Sequence, residues 1–214
     1  MRKFVLFDFD GVIVDSLWLA FGTAQQVHPH FTLEKWLPMF EGNIYANYDH
    51  SECTDACKPA QEDYFSIFSS RIGEIVAFSG MPEVVRQLSA KYGLAIVSSS
   101  VSMDIVATLK RLGLDAHFAD VLGKDVHTSK VEKIHSLLSR YEARADDCVF
   151  VTDTLGDMLE AEEAGLDAIG VSWGFLPKER LVQGKPYRVV DTPQELLAAI
   201  DEYFARTIAP SSIS

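Results

Sequence analysis

From Ser79 onward the chain repeats one unit: a helix-length amphipathic stretch, a turn, then a short run of apolar residues. Met81 to Lys91 is followed by Gly93 and the run Leu94-Ala95-Ile96-Val97. Val101 to Leu112 is followed by Gly113 and a short strand near Phe118 to Leu122. Val131 to Tyr141 leads to Cys148-Val149-Phe150-Val151, and Asp157 to Ala164 leads through Gly165 to Ala168-Ile169-Gly170-Val171. Pro193 to Phe204 closes the series, with proline in the first turn, where its missing N–H costs nothing. Runs that are apolar throughout, rather than alternating, are strands buried on both faces. Joined by helices, they predict an α/β fold, a Rossmann-like parallel sheet with helices on both sides. Lys3 to Phe7 adds one more buried strand, ending at Asp8.

Between Ser16 and Ser79 the alternation stops. That segment carries Trp18, Phe21, Trp36, Phe40, Tyr45, Tyr48, Tyr64, Phe65 and Phe68 with few β-type runs, and it reads as helical. The expected organisation is an α/β core of residues 1–15 and 80–205, an inserted helical cap of 16–79, and a flexible tail of 206–214. The simplest use for the aromatic residues is a hydrophobic core private to the cap.

The formal net charge of −12, from 19 Lys+Arg against 31 Asp+Glu, argues against nucleic acid as a partner. Neutralising a phosphate backbone requires a basic surface. A small phosphorylated molecule is not excluded, because one metal ion and one lysine reverse the field locally. Cys53, Cys57 and Cys148 are an odd, sparse set without the histidines that would complete a zinc site, so free thiols and a cytoplasmic location are expected. No stretch reaches the roughly 20 apolar residues of a membrane span, and no membrane partner is expected.

In open α/β sheets, ligands bind beyond the carboxyl ends of the strands. The residues there are Asp8-Phe9-Asp10-Gly11, then Ser98-Ser99-Ser100, then Lys130 at a later helix start, then Asp153 and Asp157. Asp8 and Asp10 flank Phe9, so an extended backbone sends both carboxylates the same way. Two carboxylates in one tight site raise a pKa unless a cation binds between them, and a hard divalent ion is suited to oxygen ligands. Gly11 permits a sharp turn and lets backbone N–H groups approach a phosphate. Asp153 would lie beside Asp8 if their strands are neighbours. Asp157 sits near a helix N-terminus, where the dipole alone also favours a carboxylate. Ser98 and Ser99 can offer hydrogen bonds to a phosphoryl oxygen, while Ser100 reads as a cap for the next helix. Lys130 and Lys124 compete as the lysine that screens phosphate charge.

The ordered set Asp8-Phe9-Asp10-Gly11-Val12, Ser98, Lys130 and Asp153-Thr154-Leu155-Gly156-Asp157 resembles the four motifs of the haloacid dehalogenase-like hydrolase superfamily. The resemblance is to the phosphoglycolate phosphatase and β-phosphoglucomutase type, which carries a helical cap between its first two motifs. It implies a magnesium-dependent phosphatase acting on a small phosphorylated metabolite through an aspartyl-phosphate intermediate. Asp8 would be nucleophile and metal ligand, and Asp10 general acid/base and backbone ligand. Ser98, Ser99 and Lys130 would hold the phosphoryl oxygens, with Asp153 a further Mg2+ ligand and Asp157 assisting behind it. Two positions depart from the pattern: Thr152 stands where a glycine usually precedes the aspartate, and Val131 follows the lysine in place of proline. Gly174, in Ser172-Trp173-Gly174-Phe175, resembles a family loop to which no chemistry is assigned.

A phosphomutase of the same superfamily would use the same groups, and an inactive binding protein on this scaffold is a further alternative. A haloacid dehalogenase has no need of an acid such as Asp10. A phospho-acceptor receiver module would place its acceptor aspartate after the third strand, where this chain has Val121-Leu122-Gly123.

Overall fold

The computed structural model describes residues 2–45 and 60–206, the side chains of 60–63 excepted. Tyr48, Cys53, Cys57 and the tail beyond Arg206 lie outside the described residues. The chain opens with β1 (Phe4–Phe7) and β2 (Val14–Asp15), followed by α1 (Leu17–Val27), α2 (Leu33–Trp36) and α3 (Ala60–Ser70). It returns through β3 (Val76–Ala77) to α4 (Met81–Ser89), β4 (Gly93–Val97), α5 (Ser102–Leu112) and β5 (Asp120–Leu122). Next come α6 (Lys130–Arg140), β6 (Cys148–Thr152), α7 (Leu155–Glu163) and β7 (Asp167–Val171). The last elements are α8 (Lys178–Leu181), β8 (Arg188–Val190) and α9 (Pro193–Arg206).

Six strands form a parallel sheet in the order β5-β4-β1-β6-β7-β8. β1 is central, with Phe7 opposite Ile96 on one side and Val151 on the other. Its residues split by the two-residue strand period. Val5 and Phe7 pack with Val85, Leu88, Ile105, Leu196 and Ile200 of α4, α5 and α9. Phe4 and Leu6 pack with Ile134, Leu137, Met158 and Ala161 of α6 and α7. Burying each large side chain stabilises the fold by about 1.5–3 kcal/mol relative to exposure. This is the expected Rossmann-like sheet with helices on both faces.

The structure differs from the sequence reading in local ways. β8 was not expected: it is three residues long, opens with Arg188, and exists because β7 offers it an edge. The strand placed near Phe118 begins at Asp120, because Phe118 instead turns edge-on to Phe7 at 6.3 Å. α7 begins two residues before Asp157, because the Thr154 hydroxyl accepts from Asp157 N and caps the helix there.

β2 and β3 pair antiparallel, Val14 opposite Ala77 and Asp15 opposite Val76, so the segment between them leaves and re-enters the core at one place. Within that segment Phe21 meets Trp36 at 5.4 Å and Trp36 meets Phe40 at 4.8 Å. Those rings are not a private cluster, since Phe175 of the loop after β7 touches both Trp36 (5.8 Å) and Phe40 (5.0 Å). Trp18 is 65% exposed. No helix among the described residues is long and apolar enough to cross a membrane.

Candidate active site

The first strand delivers Asp8 directly. Asp8 N donates to Val151 O at 2.9 Å, continuing the β1–β6 ladder one residue past the strand. Asp8 and Asp153 are thereby brought to adjacent strand ends. Phe9 N donates to Asp8 Oδ1 at 2.7 Å, and the buried Phe9 ring anchors the turn that follows. That turn needs Gly11: its φ is +72°, and a Cβ there would overlap Asp153 Oδ2.

After β4, Ser98 is buried, and its hydroxyl oxygen accepts from Ser100 N at 3.1 Å. The Ser98 carbonyl accepts from Lys133 Nζ at 2.6 Å, and the Ser99 carbonyl from the Tyr45 hydroxyl at 2.9 Å. The Ser100 hydroxyl does not cap α5, whose N-cap is Val101; it donates to Asp10 Oδ2 at 2.6 Å. At the start of α6 the Lys130 ammonium lies 2.9 Å from Asp8 Oδ2 and 2.6 Å from Asp157 Oδ2. Lys124 turns instead to the pocket-lining ring of Phe65, its Nζ 3.1 Å from the ring centre. Of the two competing lysines, Lys130 is the one that reaches the carboxylates.

Beyond β6, Asp153 Oδ2 accepts from Phe175 N at 2.6 Å. Gly174 packs so closely that a Cβ would strike Asp153 Oδ2 and the Gly11 carbonyl, and the Trp173 indole donates to Val12 O at 3.2 Å. The Ser172–Phe175 loop, to which the sequence assigned no chemistry, thus grips both Asp153 and the turn after β1. Thr152 occupies the usual glycine position, and its hydroxyl donates to Asp157 Oδ2 at 2.7 Å.

Asp8, Asp10, Ser98, Ser99, Lys130, Asp153 and Asp157 all line one pocket. Ser100, Thr152, Lys133 and Tyr45 also join or brace the group. From sequence Ser100 read as a helix cap, Thr152 as a departure from the pattern and Tyr45 as one of the cap aromatics, and Lys133 gave no signal. Ser100 had one available signal, its place in the polar triplet after a strand; the contacts of the others arise only from tertiary packing.

The carboxylates outnumber the cations that face them. Burial pushes Asp153 up to about 7, with the Phe175 N–H opposing that shift. Burial likewise raises Asp8 well above the usual carboxylate range, against the attraction of Lys130. Asp10 is raised by burial, with the Ser100 hydroxyl pulling the other way. At Asp157 burial is outweighed by Lys130 and by hydrogen bonds including those from Lys130 and Thr152, so its carboxyl is held low. Lys133 is pushed down to about 8 by burial and then by Lys130.

The donor set suits a hard divalent cation. The surplus carboxylates are oxygen ligands, and Asp10 Oδ1 is buried without a hydrogen-bond partner. As the side chains stand, no three described His, Cys, Asp or Glu groups converge on a single ligand point, and Lys130 bridges Asp8 and Asp157.

The sequence pattern of haloacid dehalogenase-like hydrolases matches residues 5–171. A protein named probable phosphatase IndB, from Dickeya dadantii, is 30% identical over 99% of both chains. A phosphoglycolate phosphatase from Synechococcus elongatus is 28% identical over 92% of this chain and 97% of its own. A solved haloacid dehalogenase-like hydrolase from Streptococcus pneumoniae superposes with a TM-score of 0.80 at 22% identity, covering 93% of this chain and 98% of its own. With four ordered motifs gathered in one pocket and this match over most of its length, the chain belongs to the haloacid dehalogenase-like hydrolase family.

Proposed function

We propose that this hydrolase is a magnesium-dependent phosphatase that removes phosphate from a small metabolite through a phosphoryl group carried on Asp8. The observation that carries this reading is the Asp8 carboxylate, fixed at the pocket by the Phe9 N–H and by Lys130 at 2.9 Å. A nucleophile for phosphoryl transfer must be positioned and must not be repelled by the phosphate it attacks. Lys130 supplies the opposing charge.

In the first displacement an Asp8 oxygen forms a bond to phosphorus while the ester P–O bond breaks. Asp10 gives its proton to the departing alkoxide. In the second, Asp10 takes a proton from water, the water oxygen bonds to phosphorus, and the bond to Asp8 breaks. Asp8 and phosphate are restored. Burial favours the protonated form of Asp10 that the first displacement requires. Ser98 and Ser99 are assigned to the phosphoryl oxygens, with Lys133 holding the backbone of that turn in place. Asp8, the Asp10 carbonyl and Asp153 would hold magnesium, backed by Asp157; when bound, the ion offsets phosphoryl charge and the surplus of carboxylates.

The segment 16–79 is assigned as a cap that covers the site and chooses the substrate, with 1–15 and 80–205 as the catalytic core. Its residues Tyr45 and Tyr64 line the pocket together with Asp8. A cytoplasmic setting suits the sparse cysteines, of which Cys148 is buried in β6. The test is acid quenching during turnover of a radiolabelled ester. Hydroxylamine-labile label on the peptide containing Asp8 is expected; label on Ser98, or inversion at phosphorus, overturns the mechanism.

A further inference from the structure

We infer that the alcohol half of the substrate is flat and apolar: the protein takes the phosphate monoester of an aromatic alcohol in preference to one bearing a second anion or several hydroxyls. This rests on the phosphatase reading above and names the substrate class of that same site. The pocket lining is of two kinds: the carboxylates, the serines and Lys130, and the rings of Phe31, Trp36, Phe40, Tyr64, Phe65 and Phe68. The rings brace one another: Trp36 meets Phe40 edge-on at 4.8 Å, and Tyr64 lies parallel to Phe68 at 5.9 Å. Phe31, Trp36 and Phe68 are buried, so the wall is formed by packing that does not depend on a ligand.

Charge argues the same way. Among the described residues lining the pocket, Lys130 is the one lysine or arginine, and its ammonium already spans Asp8 and Asp157. Lys124 approaches from behind the lining, its Nζ 3.1 Å from the Phe65 ring centre. Glu160 also lines it, fixed by Asn43 Nδ2 at 3.0 Å and Lys130 N at 2.9 Å. A leaving group with its own carboxylate or second phosphate would shed water to face a carboxylate and aromatic rings. Several sugar hydroxyls would meet mostly carbon: among the rings the polar side chains are Tyr45, Tyr64 and His28, and the Tyr45 hydroxyl already donates its proton to Ser99 O. A flat ring loses little hydration and gains edge-to-face contacts.

The experiment compares primary alkyl esters, so that leaving-group reactivity does not decide the result: 2-phenylethyl phosphate, 2-phosphoglycolate and glucose 6-phosphate, with magnesium present. We expect kcat/KM for 2-phenylethyl phosphate to exceed the other two by at least ~10-fold. Phe65 is half-buried with Lys124 resting on its ring, so the variant is Phe65→Arg, which both replaces that ring with a cation and frees the Lys124 ammonium from it. It should raise the ratio of phosphoglycolate to phenylethyl turnover by ~10-fold or more, a ratio that partial misfolding would leave alone. Preference for phosphoglycolate or the sugar ester, or an unmoved ratio in Phe65→Arg, overturns the substrate class while leaving a phosphatase. Absence of turnover with all three esters and with phenyl phosphate removes the phosphatase reading, and this inference with it.

Discussion

Asp8 and Asp10 are two residues apart, but their neighbours differ in kind. Asp8 faces the Lys130 ammonium, whereas Asp10 receives a neutral hydroxyl from Ser100. Burial raises both carboxyls. At Asp8 the Lys130 ammonium opposes that shift, and the proposed cation would complete the balance in favour of the anion; at Asp10 a neutral hydroxyl and burial leave an acid able to hold its proton. Asp8→Asn keeps the shape and removes the attacking oxygen, so the rate of ester turnover should fall by on the order of 10⁴-fold or more. It also relieves one of several crowded carboxylates, while Lys130 retains Asp157. The melting temperature of the metal-free variant should therefore match or exceed that of the parent; a large drop would make the rate loss a folding defect. Asp10→Asn should cost ~10²–10⁴-fold on alkyl phosphates, which need a proton on the departing oxygen. Its cost should shrink on 4-nitrophenyl phosphate, whose phenolate leaves unprotonated. Equal losses on both esters would remove Asp10 from the acid role.

Elements deliver these side chains through features that the sequence showed unevenly. The apolar runs of β1, β4, β6 and β7 were legible because strands buried on both faces must be apolar throughout. Asp8 and Asp153 were legible because each ends such a run. β8 and the β2–β3 pair were not, since two or three residues carry no period and pair only where a neighbour presents an edge. Nor was the grip of the Ser172–Phe175 loop on Asp153, a contact between residues 22 apart in sequence made by a backbone N–H that every non-proline residue carries. Gly174 is the accessible test of that grip. Adding a methyl there must displace either Asp153, which lines the pocket and is a proposed cation ligand, or the Gly11 carbonyl beside it. Gly174→Ala should raise the magnesium concentration for half-maximal activity by ~10–100-fold. Measuring manganese binding by electron paramagnetic resonance, without substrate, separates this from a purely catalytic loss. Unchanged affinity in both assays would show that the loop yields freely.

At the scale of the whole molecule, the acidic cluster is a cost of folding that the proposed cation would offset. Burying Asp8, Asp153 and Asp157 beside half-buried Asp10 leaves more carboxylates than Lys130 and Lys133 can neutralise. Unfolding disperses the same groups into water, so the proposed magnesium ion would bind the native chain far better than the unfolded one. Such a ligand at a hundredfold excess over its Kd stabilises by about 2.7 kcal/mol. For a chain of this length that corresponds to a rise in Tm of about 5–10 °C. The sign follows from linkage: magnesium should raise Tm, and EDTA should return it to the metal-free value while abolishing ester turnover. Asp153→Asn removes one proposed ligand and should abolish most of the magnesium-dependent rise, whereas Asp146→Asn, on an exposed turn, should leave it intact. Scanning calorimetry of the three proteins with and without millimolar magnesium decides the matter. A rise that survives Asp153→Asn would put the cation elsewhere on this acidic surface, and full activity in EDTA would remove magnesium from the chemistry altogether.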